Sequence, residues 1–193
     1  MRLEKASYKA IKYACLNFHY AKSMPVNTFG YSVFNDKNEW CGIVLYGRGA
    51  NNNIAKSFNL QQGQVLELVR VALNGKQETT SKAISISLKI IKKDCPNVKV
   101  IVSYADMGQT HIGVVYQATN WIFIESISSS GVEVFTNSKW LHKRSYDGLK
   151  IKTKITETRK KAGKYKYIYV LEKSLLPLCK SLSKPYPKKA VEA

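Results

Sequence analysis

"VLELVRVALNGKQETTSKAISISLKIIKKDCPNVKVIVSY", residues 65–104, decides the fold class. Its first nine residues, Val65 to Leu73, form an apolar run broken only by Glu67 and Arg70, which reads as a buried strand. "NGKQETTS" interrupts that run with turn residues and opens a helix whose Ile84, Leu88 and Ile91 share one face. Val98 to Tyr104 then returns to near-continuous apolar content, the pattern of a strand at the centre of a sheet. These elements predict an α/β (α+β) fold: a single domain with a central mixed sheet flanked by helices.

Toward the N-terminus, Ser7 is placed to cap a helix with Tyr8, Ile11, Cys15 and Phe18 on its inner face. His19-Tyr20 falls where that helix ends, before Met24-Pro25. Phe29–Phe34 and Trp40–Tyr46 read as a hairpin joined by Asn35-Asp36-Lys37-Asn38, and Gly47–Asn53 as a polar loop. Toward the C-terminus, "SYADMGQTHIGVVYQATNW", Ser103 to Trp121, crosses from strand to a short helix ending near Ala118. Further strands are predicted at Trp121–Ile124, Val132–Phe135 and Tyr165–Leu171, and a last short helix at Leu175–Ser181. The expected organisation is one domain over 1–172, with a basic segment at 136–166 and a loose basic tail at 173–193.

Composition narrows the function. No apolar run approaches the roughly 20 residues of a membrane span, and Met1-Arg2-Leu3-Glu4-Lys5 is not followed by a signal-peptide core. Cys15, Cys41, Cys95 and Cys179 are too scattered for a zinc site and suit a reduced cytoplasmic protein. The 31 Lys/Arg against 13 Asp/Glu leave a net charge of +18, which points to a polyanionic partner, nucleic acid above all. Half of that excess lies between Thr136 and Lys166, where 11 Lys/Arg face only Asp147 and Glu157. There Lys139, Lys143, Arg144, Arg159, Lys160, Lys161 and Lys164 alternate with Trp140, Tyr146, Tyr165 and Tyr167: cations for phosphates, rings for exposed bases.

Several residues carry candidate chemistry. Asp106, at the end of a central strand, can accept a proton from an amine or cap the next helical turn. Tyr116 can protonate a leaving group or pack with its hydroxyl satisfied. His19-Tyr20 pairs an imidazole with a ring, and with only His111 and His142 beside it a histidine-rich metal site is excluded. Arg70, inside a buried strand, needs either an ion-pair partner or an anionic ligand. The loop carrying Lys76, Thr79, Thr80 and Ser81 can hold phosphate at the start of its helix, although Gly75 is its only glycine.

Taken together, "HYAKSMP" (19–25), "VLELVRVAL" (65–73), "SYADMGQTHIGVVYQATNW" (103–121) and "RKKAGKYKYIYVL" (159–171) resemble the Mom family of bacteriophage DNA-modification proteins. The resemblance spans about residues 15 to 171. It implies a fold like the GCN5-related N-acyltransferases and a transferase that converts adenine N6 in double-stranded DNA to an acetamido (methylcarbamoyl) form, shielding phage DNA from host restriction in the host cytoplasm. It also implies a flipped adenine, acetyl-coenzyme A as donor and iron as a further cofactor. The residues carried over are His19, Tyr20, Asp106 and Tyr116 as catalytic, and Arg70 for the donor, whose phosphates the Lys76–Ser81 loop is expected, from its own residues, to hold. His19 and Asp106 are the candidates should iron bind. The acyltransferase pattern Q/RxxGxG/A is not met by "NGKQETTS". Rival readings are an acyltransferase of the same fold for a protein or small amine, and a non-catalytic basic DNA-binding protein.

Overall fold

A computed structural model of the chain describes residues 1–48 and 53–188. An eight-stranded mixed sheet runs through it, built from β1 (Arg2–Lys5), β2 (Thr28–Phe34), β3 (Trp40–Gly47), β4 (Val65–Leu73), β5 (Val100–Asp106), β6 (Ile122–Thr136), β7 (Lys139–His142) and β8 (Glu157–Val170). The order is β1-β2-β3-β4-β5-β8-β6-β7, and β4–β5 is the single parallel pair in it. Two helices flank the sheet: α1 (Tyr8–Asn17) on one face and α2 (Thr80–Asp94) on the other. Short helices α3 (Val114–Gln117), α4 (Lys143–Asp147) and α5 (Leu176–Ser181) complete the chain. The mixed α/β domain read from residues 65–104 is the one observed.

Its pieces form for local reasons. Ser7 Oγ accepts from the Ala10 N–H and starts α1, whose Ile11, Ala14 and Cys15 bury against Ile43, Leu45 and Ala72. Tyr8, expected on that inner face, is 71% exposed. Thr79 Oγ1 accepts from the Lys82 N–H and starts α2, which packs Ala83, Ile84, Leu88 and Ile91 onto Val44, Tyr46 and Leu66. In β5, Val100, Ile101 and Val102 are fully buried, as their continuous apolar run requires.

The structure departs from the sequence reading at four places. β1 pairs with β2, although its four charged-rich residues carry no strand signal. The strands expected at 121–124 and 132–135 are one strand, β6, kept continuous through the polar "SISSSG" by pairing with β8 and by register shifts at Phe123/Glu125 and Ser129/Val132. β8 starts at Glu157, eight residues before the expected strand, so much of the basic segment is sheet. The segment after 172 is docked: α5 buries Cys179, the Lys184 N–H donates to Phe123 O, and Tyr186 Oη donates to Trp121 O at 2.7 Å. Most of the Gly47–Asn53 loop and the last five residues lie outside the described residues. Among those described, no helix is long and apolar enough to cross a membrane.

Candidate active site and its basic arm

β4 and β5 pair only from Val65↔Val100 to Leu68↔Ser103. Beyond that rung β4 stays with β3 and β5 stays with β8, so the two parallel strands fork. A cleft of about 1210 Å³ opens in the fork, walled by Val69–Val71 on β4 and Tyr104–Asp106 on β5. Phe18–Tyr20 border it on the α1 side and Val114–Tyr116 on the α3 side, and it runs on to Gly75, Gln77 and Thr80 at the start of α2.

A bulge shapes one wall. Leu45 faces Arg70 and the next residue, Tyr46, faces Leu68, which leaves Val69 unpaired. The extra residue puts Leu68 in the α2-side core and turns Arg70 toward α1, although residues two apart in a regular strand share a face. Arg70 Nη1 donates to His19 Nδ1 at 2.6 Å and Nη2 to Ser23 Oγ at 3.1 Å, while its buried Nε has no partner.

On the β5 wall Tyr20 Oη donates to Asp106 Oδ2 at 3.1 Å, and Asp106 Oδ1 accepts from the Gly108 N–H at 2.9 Å. Asp106 therefore caps the turn Met107–Gln109 and still presents a carboxylate oxygen at the cleft. Burial, and then the Asp106 charge, hold the Tyr20 phenol well above its ordinary range. The His19 ring stacks on Tyr20 at 4.3 Å. Burial first and the Arg70 cation second push His19 down to about 4, so it is neutral near pH 7. Its Nδ1 lone pair is taken by Arg70 and by the Ala21 N–H at 3.1 Å.

His111, which the sequence reading did not single out, also lines the cleft, with its ring edge-on to Tyr20 at 6.0 Å. Thr110, at φ 55, turns the chain back so that the His111 N–H reaches Asp106 O. The signal for it in the sequence was only its nearness to Asp106.

Tyr116 stands on the opposite face. Ser103 and Asp106 are an odd number of residues apart on β5 and point to opposite sides, and Ser103 meets Tyr116 while Asp106 meets Tyr20. Tyr116 is buried among Trp121 and Tyr167, each 5.1 Å from its ring, and that burial pushes its phenol up to about 12. Gly113 makes this packing possible. It sits at φ +79, and a Cβ there would come within 2.4 Å of the Tyr167 ring. Asp106 and Tyr116 thus flank the fork rather than sharing one crossing, and α3 is the short helix expected, a single turn capped at Ala118.

The donor-side residues are split. Thr80 lines the cleft, while Thr79 is occupied in capping α2 and Ser81 Oγ donates to Thr79 Oγ1 at 3.3 Å. Arg70 bonds His19 and Ser23 on the α1 side while lining the same cleft as Thr80. A cleft that joins the fork to the free N–H groups of a 15-residue helix, with no acidic residue in that helix's first turn, fits an elongated carrier with a phosphate end such as coenzyme A. Iron does not fit. Among the described residues no three His, Cys, Asp or Glu converge as metal ligands, and the Arg70 guanidinium occupies His19 Nδ1.

The basic segment begins at the cleft. Asp106 is paired with Lys164, after which β8 runs on from Ala162 to Glu157 bound to β6 alone, with β7 on the far side. Six residues of strand give this arm a reach of roughly 20 Å. Not all its cations are equally available. Arg159 Nη2 and Lys161 Nζ share Glu133, at 2.9 and 3.5 Å, and Arg159 lies 4.0 Å over the Trp140 ring. Lys143 pairs with Asp147, and Lys164 Nζ is 5.5 Å from the Tyr104 ring centre. Lys139, Arg144 and Lys160 are exposed.

Known structures share this fold. A Bacillus subtilis acetyltransferase in complex with CoA superposes with a TM-score of 0.53 at 10% identity, covering 88% of this chain and 97% of that one. A Vibrio cholerae spermidine N-acetyltransferase gives 0.55 at 9% identity over 92% and 99%. Both likenesses are of fold. The methylcarbamoylase Mom of Escherichia phage Mu is 29% identical over 136 residues, 68% of this chain and 56% of that protein, so the chain spans little more than half the length of the curated relative it matches. The Mom protein family matches residues 1–188, and the chain belongs to that family.

Proposed function

We propose that this protein is a transferase that modifies the exocyclic N6 of adenine in double-stranded DNA with an acetamido (methylcarbamoyl) group, acting in the host cytoplasm to protect phage DNA from restriction. The observation that carries the reading is the forked cleft at the root of a basic arm, with Asp106 and Tyr20 on one wall and Tyr116 on the other. Adenine N6 lies inside the duplex stack, so the base is extruded to reach the cleft, and Tyr20, half exposed at 48%, offers a ring against it. The N6 lone pair is delocalised into the purine, which makes it a weak nucleophile. Asp106 accepts the N6 proton as the new bond forms, and Tyr116 protonates the departing atom of the donor. His19 orients Tyr20 and Arg70 rather than taking the proton itself.

A coenzyme A thioester, when bound, supplies an activated acyl carbon with a thiolate leaving group. Lys76, Thr79, Thr80, Ser81 and the first N–H groups of α2 would hold its phosphates. An acetyl unit lacks the nitrogen of an acetamido group, so acetyl transfer alone does not balance the reaction; the donor would have to carry the amide nitrogen already, with its leaving group on the carbon that N6 attacks. The arm cations Lys139, Lys143, Arg144, Arg159, Lys160, Lys161 and Lys164 hold the DNA backbone. A polyamine substrate is disfavoured by the +18 charge of the chain.

Mass spectrometry of nucleosides from the DNA of cells expressing the chain tests the reading. A modified adenosine heavier by one acetamido group supports it. Unmodified adenosine at full expression overturns it.

A further inference from the structure

Ser103 is 1% exposed and sits on the last rung before the β4–β5 fork. Its Oγ lies 2.9 Å from Leu68 O and 2.8 Å from Tyr116 Oη. A hydroxyl has one proton, and here two oxygens stand within reach of it. The Leu68 carbonyl can only accept. The neutral Tyr116 phenol can donate, so it leaves the Ser103 proton free for the carbonyl. A Tyr116 phenolate, buried among Trp121 and Tyr167, has lost its own donor and requires one.

We propose that Ser103 is a positioning residue for Tyr116, turning its hydroxyl proton from Leu68 O to the Tyr116 oxygen as Tyr116 gives up its proton. This rests on Tyr116 being the proton donor of the reaction. The step balances without any redox partner. The Tyr116 O–H bond breaks, its proton goes to the departing atom of the donor, and the electron pair remains on the phenolate oxygen. The Ser103 O–H bond rotates intact, and solvent returns a proton to Tyr116 once the product has left. The bond from Ser103 opposes the upward push of burial on the Tyr116 phenol. The position suits such a role, because the hydroxyl that ties the two strands together at the mouth of the fork is the one that touches the phenol.

The test uses the full chain with a difluorotyrosine incorporated at position 116, whose phenol is intrinsically more acidic than that of tyrosine. A fluorine NMR titration should find its ionisation about one pH unit higher in Ser103→Ala than in the Ser103 parent, and close to the parent in Ser103→Thr. In expressing cells, Ser103→Ala with the natural Tyr116 should lower the modified-adenine fraction about tenfold. Difluorotyrosine at 116 should then restore most of it, which repair of a merely structural defect would not do. Unchanged ionisation in Ser103→Ala, or a loss of modification that difluorotyrosine leaves uncorrected, overturns the proposal. Ser103→Cys, close in size and a weaker donor, should fall between serine and alanine and serves if the alanine variant folds poorly. If Tyr116→Phe keeps full modification, the role of Tyr116 fails first. If the parent makes no modified adenine, the function fails, and the titration still decides the Ser103–Tyr116 bond.

Discussion

Lys164 stands directly across the β5–β8 ladder from Asp106. The last residue of the central strand is therefore also the point from which the basic arm departs, and a phosphate held near Lys164 lies next to the carboxylate that would act on the base. On the proposed function this neighbourhood would couple binding to chemistry, and substitution can separate the two.

Asp106→Asn keeps a side-chain oxygen for the Gly108 N–H and a partner for Tyr20, so the turn at Met107–Gln109 should persist. It removes the proton acceptor. Modified adenine should fall by at least about 100-fold, with DNA affinity in a fluorescence anisotropy titration within twofold of the parent. Wild-type modification by this variant would remove Asp106 from the mechanism.

The arm predicts a graded response. Lys160 and Arg144 are exposed, whereas Arg159 and Lys161 already share Glu133. Lys160→Gln and Arg144→Gln should each lower the slope of log affinity against log salt by about 0.9. Arg159→Gln should cost less affinity than these, because it returns Glu133 to Lys161. Equal slopes in all variants would place the DNA elsewhere.

Much of this was legible in the sequence, and the limits are physical. The bounds of β4, the hairpin of β2 and β3 and the Ser7 cap of α1 follow from local pattern, because burial and capping act on neighbouring residues. The bulge at Val69 does not follow, since it depends on how β3 pairs, and with it went the facing of Arg70. Asp106 and Tyr116 were read as a pair on one crossing. They are instead divided by the sheet, because the parity of Ser103 and Asp106 sends them to opposite faces. The docked Tyr186 and the cleft-facing His111 owe their places to contacts with Trp121 and Tyr20 that no local spacing announces.

His19 makes the fold sensitive to acid. Its folded pKa, about 4, lies below its ordinary 6.5, so between these values the unfolded chain holds more protons than the folded one. Stability attributable to His19 is therefore present above about pH 6.5 and is lost as pH falls toward 4. Arg70, His111 and Lys22 oppose its protonation and Asp106 favours it. Urea denaturation at pH 7, 6, 5 and 4.5 should show this decline, and His19→Gln should flatten it over that interval, partly exposed as the ring is. An identical decline in His19→Gln would assign the acid sensitivity to other groups.

Gly113 links the fold to the chemistry. At φ +79, with the Tyr167 ring 2.4 Å from where a Cβ would stand, Gly113→Ala forces either α3 or Tyr167 to move. Tyr167 is fully buried and held in β8 by pairing with Ser103 on one side and Phe123 on the other, so α3 and Tyr116 with it should give way. The cost should be about 1–3 kcal/mol, read as a lower midpoint in thermal or urea unfolding. Modification should fall more steeply than stability, because Tyr116 would leave Ser103. Gly148→Ala is the matching control: its Cβ would meet nothing nearer than Arg144 O at 3.6 Å, and it should leave both the midpoint and the modified adenine near parent levels. A Gly113→Ala protein as stable and as active as the parent would mean that α3 can be repositioned without consequence, and Tyr116 with it.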